Sequence, residues 1–161
     1  MKHVIALAIL VGVLAISTGC GSMPAVAEPT DYQSLEYVRD VKGLKAPAIY
    51  DGVKLWIAEN FRSAKQVIDL DDRERGILIG NGVLPNVILD SGIVQMPLQA
   101  SFKMKVEVKD EKMRLTFSQF EIVGRANSTL FKSEAVQIRS RLAAFGDQIV
   151  RHLESRKISD F

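Results

Sequence analysis

The chain has 161 residues and a formal net charge of +2, with 21 Lys and Arg against 19 Asp and Glu. So even a balance argues against a polyanion binder, and no nucleic acid is expected as a partner. One cysteine in the whole chain excludes an internal disulfide framework.

The N-terminus opens with Lys2, followed by an uncharged apolar run from Val4 to Ile16. A short basic region, an apolar region and small residues make the pattern of an export signal. The run is shorter than the eighteen or so residues that span a bilayer. Ser17, Thr18 and Gly19 lead directly to Cys20. Residues 1–19 are therefore expected to be a signal peptide, cut between Gly19 and Cys20. Residues 20–34 are small and polar, include Pro24 and Pro29, and read as a flexible tether. Residues 35–161 remain as one domain, long enough for one modest core.

Within that domain, Leu35 to Val41 alternates as a first strand. Pro47 suits the first turn of a helix. Ile49, Val53, Trp56, Ile57 and Phe61 lie at helical spacing along it, and Gly52 is expected to weaken its start. Lys65 to Asp71 is a short strand, Asp72 to Glu74 a turn, and Arg75 to Gly80 a strand on which Ile77 and Ile79 share a face. Asn81-Gly82 reads as the exit of that strand. Residues 83–100 read as a long apolar connection that either adds an edge strand or packs over the sheet.

The stretch from Ser101 to Lys109 alternates most cleanly, with Phe102, Met104, Val106 and Val108 opposite Lys103, Lys105, Glu107 and Lys109. One face is buried and one is wet, the pattern of an antiparallel sheet covered on a single side. Asp110-Glu111 turns the chain, and Lys112 to Val123 returns with Met113, Leu115 and Phe117 inward. The apolar phase then jumps to Phe120 and Ile122, which predicts a bulge near Ser118. Ser133 is a candidate cap for a last helix with the stripe Ile138, Leu142, Phe145, Ile149 and Leu153. The expected fold is α+β and two-layered: an antiparallel sheet of about five strands with two helices on one face, in the order β-α-β-β-β-β-α.

Two resemblances follow from these residues. The Gly19-Cys20 junction after an apolar run resembles a bacterial lipoprotein signal, although Ser17 replaces the usual Leu or Val. That likeness implies a diacylglycerol on the Cys20 thiol, further acylation of its amine, and a membrane anchor. Gly21 in place of Asp resembles an outer-membrane address, facing the periplasm. The second resemblance rests on Trp56, Asn60, Phe61, Val67, Ile68, Asp72, Gly76, Ile77, Ile79, Gly80 and Arg114. Together with the alternating strands after Ser101 they resemble a bacterial envelope family known as a domain of unknown function with a TATA-binding-protein-like fold. It implies the same element order and no known activity.

Chemistry-bearing candidates are few. Asp69, Asp71, Asp72 and Glu74 form an acidic run, but a calcium loop begun at Asp69 would place Glu74 where glycine is needed and Gly80 where glutamate is needed. A solvated turn is the better reading, and no metal or cofactor is expected. His152 reads as a boundary residue on the last helix rather than a general base. Lys103, Lys105 and Lys109 could form an anion-binding face, but with Glu107 interleaved a solvated sheet face is the better reading. Val87, Ile88 and Ile93, with Lys103 and Lys105, are the candidate partner surface. The leading expectation is a lipid-anchored envelope module that contacts an envelope protein or a cell-wall component. The rivals are an enzyme acting on envelope material through the 69–74 carboxylates and a cytoplasmic protein with an apolar N-terminus.

Overall fold

The computed structural model describes residues 29–30, 34–61, 68–90, 95–126 and 130–159. Gly19, Cys20, Ile93, the signal segment and nearly all of the tether lie outside the described residues. Five strands form the main antiparallel sheet: β2 (Ser34–Asp40), β3 (Ile68–Asp72), β4 (Ile77–Asp90), β5 (Gln95–Lys109) and β6 (Lys112–Ile122), in the spatial order β2-β6-β5-β4-β3. Helix α1 (Ala46–Asn60) follows β2, and helix α2 (Lys132–Ser159) closes the chain. The β-α-β-β-β-β-α order is therefore the observed one. A small second ladder pairs β1 (Pro29–Thr30) with β7 (Leu130–Phe131). Part of the expected tether is thus held to the domain.

Both helices use the stripes that their spacing dictates. Ile49, Val53, Trp56 and Ile57 of α1 and Ile138, Leu142, Ile149 and Leu153 of α2 are buried. They meet Phe102, Met104, Val106, Met113, Leu115 and Phe117 on one side of the sheet. Each such side chain contributes about 1.5–3 kcal/mol relative to exposure. Phe102 and Phe117 pack edge-to-face, with ring centroids 5.6 Å apart, the arrangement that ring quadrupoles favour.

Glycine contacts account for two departures from expectation. Gly52 does not disturb α1, which runs unbroken from Ala46 to Asn60. A side chain at Gly52 would collide with Leu153 of α2, so glycine lets the helices approach there. Gly82 is not an exit: β4 continues through it to Asp90. It pairs with Phe102, whose ring occupies the space that a Cβ at Gly82 would need, 2.3 Å away. Asn81-Gly82 looks like a turn because sequence alone does not reveal the ring.

Segment 83–100 is likewise not a connection over the sheet. Its described parts extend β4 and β5 as two paired arms, from Leu84 opposite Ala100 to Asp90 opposite Gln95. The register shifts between Leu84 and Val87, where Asn86 takes φ 56°. Gln137 of α2 fastens the β4 arm: its amide nitrogen donates to the Ile88 carbonyl at 2.8 Å, and its oxygen accepts from the Ile88 N–H at 2.9 Å. Arg141 donates to the Pro85 carbonyl.

The bulge near Ser118 is present. Lys103 pairs with Ser118 and Ser101 with Glu121, so the ladder shifts between them. Gln119 takes φ 53° at that point, and Phe120 and Ile122 return to the buried side.

Ser133 is not the cap of α2, because the helix already begins at Lys132. Glu134 does that work. Its Oε2 accepts the Phe131 N–H at 3.0 Å, while Arg125 holds both carboxylate oxygens at 2.7 and 2.9 Å. A glutamate at the third helical position can reach back in this way to an orphan backbone donor. Glu134 is completely buried, and its bidentate arginine neutralises it.

Candidate partner-binding face

Among the described residues both helices lie on one side, and the other side of the sheet is open. Alternation along the strands decides what it carries. On β4, Leu78 points into the core, whereas Ile77 and Ile79 lie half-buried on the open side and Val83 is exposed. Leu70 of β3 pairs with Ile79, and Val38 of β2 pairs with Arg114 of β6; both aliphatic side chains are exposed.

Polar groups of the same face lie across the middle strands. Lys105 Nζ is 3.0 Å from Glu107, and Arg114 approaches Glu107 at 3.8 Å and Glu36 at 3.6 Å. These charges neutralise each other in solvent, where an exposed pair is worth about 0–1 kcal/mol. Lys103 differs. Among the described residues no hydrogen bond or ion pair engages its ammonium group. It borders a shallow hollow of about 220 Å³ with Asn81, Ser101, Gln119 and Glu121, beside the β6 bulge. The bulge sets this geometry, because it interrupts the ladder where a flat face would otherwise continue. An ammonium group, a carboxylate and two amides suit a polar ligand with both donors and acceptors.

The candidate partner residues are not brought together. Val87 lies on the β4 arm itself and is fully buried, so it does not offer a surface to a partner. Ile88 is half-buried and pinned by Gln137. Ile93 lies outside the described residues. Lys103 and Lys105 do sit side by side on the open face of β5. On the open face the exposed aliphatics are instead Val38, Leu70 and Val83, and the place of Val83 could have been read from the alternation of β4 through Leu78.

The acidic run is engaged in local structure. Asp69 accepts from the Asn81 amide at 2.8 Å. Asp71 accepts from the Tyr50 hydroxyl and from Lys54, both on α1. Those two donors hold the Asp71 carboxyl below the usual carboxylate range. Burial, and then the bond to Asp71, push the Tyr50 phenol upward. Asp72 caps the turn by accepting the Arg75 N–H at 3.0 Å. Nearby Asp51 takes a two-pronged bond from Arg73, at 2.8 and 2.9 Å, which lowers its carboxyl. The run therefore locks α1 to β3 and its turn. His152 Nδ1 lies 3.8 Å from Glu59, at the junction of the two helices. Among the described residues no group of three or more His, Cys, Asp or Glu is placed to hold a metal ion. No described helix is long and apolar enough to cross a membrane.

With this geometry in place, the chain can be set beside known proteins. A family model described as a domain of unknown function (DUF4468) with TBP-like fold matches residues 36–122, and the chain belongs to that family. A DUF4468 family protein from Bacteroides ovatus is similar in structure, with TM-score 0.55 at 13% identity, over 80% of this chain and 88% of that one. A TBP-like protein from Parabacteroides distasonis matches at TM-score 0.48 and 9% identity, over 83% of this chain and 93% of that one. No curated protein matches the chain.

Proposed function

We propose that the chain is a lipid-anchored envelope lipoprotein whose α+β domain binds a partner on the open face of its sheet. Cys20 would carry the lipid and hold the protein at the outer membrane, facing the periplasm. Two or three acyl chains give stable attachment, at about 0.8 kcal/mol per buried methylene. The partner is an envelope protein or a cell-wall component.

The observation that carries the binding reading is the uncovered face itself. It joins the exposed aliphatics Val38, Leu70 and Val83 to a polar hollow around Lys103. The carboxylates that would serve a hydrolytic enzyme are committed elsewhere: Asp69 to Asn81, and Asp71 to Tyr50 and Lys54. That favours binding over catalysis through the 69–74 run.

Two measurements test the proposal. Mass spectrometry of the mature N-terminus should find acylated Cys20, and Cys20→Ser should release the protein from membranes. Crosslinking in cells, with Val83→Arg and Lys103→Glu combined, should lose the partner adducts seen with the parent. A full set of adducts from that folded variant would remove the open face from the account.

A further inference from the structure

Six large apolar side chains are markedly exposed among the described residues; besides Val38, Leu70 and Val83 they are Met96 at 49%, Val123 at 52% and Val136 at 60%. The backbone gathers these last three at one end of the domain. Met96 opens β5 opposite Leu89. Val123, just past β6, donates its N–H to the Gln99 carbonyl at 2.8 Å. Val136 precedes Gln137, whose amide is bonded to Ile88 on the β4 arm. The opposite end is built differently. There the Asp110-Glu111 turn carries Lys45 paired with Asp110 at 2.9 Å, and Glu111 accepts the Gly43 N–H.

The N-terminal segment enters at the apolar end. Pro29 and Thr30 pair with Phe131 and Leu130, and Phe131 runs directly into α2, whose first turns carry Val136. From Cys20 to Pro29 the chain advances nine residues. Fully extended, those steps reach at most about 30 Å. A folded unit of this size is on the order of 35 Å across. A lipid on Cys20 would therefore hold the β1 end close to the bilayer, with no reach to spare for the far end.

We infer that this end of the domain docks onto the lipid surface, with Met96, Val123 and Val136 entering the headgroup–acyl boundary. The inference rests on the anchored reading and adds an orientation to it: the open face of the sheet stands away from the bilayer, free for its partner. Apolar side chains at an interface bind by the same area burial that holds amphipathic helices there.

The test uses the full mature protein in vesicles of phosphatidylethanolamine and phosphatidylglycerol. An environment-sensitive fluorophore is placed on Met96→Cys, Val136→Cys or Val83→Cys, one at a time. An acylated Cys20 has no free thiol, so only the new cysteine is labelled. Probes at positions 96 and 136 should shift to the blue and be quenched by spin-labelled acyl chains, while the probe at 83 stays water-exposed. Acylated, vesicle-bound protein with all three probes equally wet would overturn the docking and leave the anchor standing. The same holds if all three are equally quenched. Protein with an unmodified Cys20 that stays in the supernatant would overturn both.

Discussion

The two sides of the sheet are made by the same strands and obey different rules. On the covered side, Phe102, Leu115 and Phe117 are dry and packed against two helices, and every neighbour is fixed. On the open side, Lys105, Glu107, Arg114 and Glu36 form loose pairs between 3.0 and 3.8 Å. One residue of displacement along β5 moves a side chain from the first regime to the second. Stability should therefore be concentrated on one face, which leaves the other free to vary for binding.

Substitutions can break or sharpen that contrast. The largest effect is expected in the core: Phe102→Ala should cost about 3–5 kcal/mol by removing a buried ring and leaving a cavity. It should show as a lower denaturant midpoint with an unchanged slope. Almost as large should be Arg125→Ala, which leaves the buried Glu134 carboxylate without its cation, at about 3–5 kcal/mol. If Arg125→Ala unfolds as the parent does, Glu134 is not the strained charge its burial implies.

A smaller, pH-dependent effect is expected at the rim. The folded Asp71 carboxyl titrates below its unfolded value. Its contribution is therefore fully present above that unfolded value, about pH 4, and is lost as pH falls through the depressed folded value. Asp71→Asn should be slightly less stable than the parent at neutral pH, by less than about 1 kcal/mol since the pair with Lys54 is part-exposed. That gap should close in acid; a gap that persists at low pH would point to lost packing instead of lost charge. The smallest effect should come from Glu107→Ala on the open side, within about 0.5 kcal/mol. A markedly larger loss there would mean that the two faces are less distinct than they look.

What the sequence disclosed follows the same division. Periodicity alone located both helix stripes, the alternation of β5 and the bulge beside Ser118, because these depend on local spacing. It went wrong where a distant partner decides. Gly82 is explained only by the Phe102 ring across the ladder, and the burial of Val87 belongs to an arm that Gln137 ties down from α2. The cap of α2 was visible in principle, since Glu134 stands three residues after Phe131; what hid it was Ser133, a better cap by residue type. Within the candidate site, Lys103 and Lys105 were legible from alternation, and the hollow was not, because it needs the displaced register opposite Gln119.

The two-residue ladder of Pro29 and Thr30 with Phe131 and Leu130 also has a mechanical meaning. Tension arriving through the N-terminus meets an antiparallel pair whose loaded ends lie on the same side, so it unzips one contact at a time instead of shearing. The seven-pair ladder that joins Ser34–Asp40 to β6 lies behind it and is engaged only afterwards. This short clasp is the part of the molecule that should yield first under load, paying out extra chain while the rest of the domain stays folded.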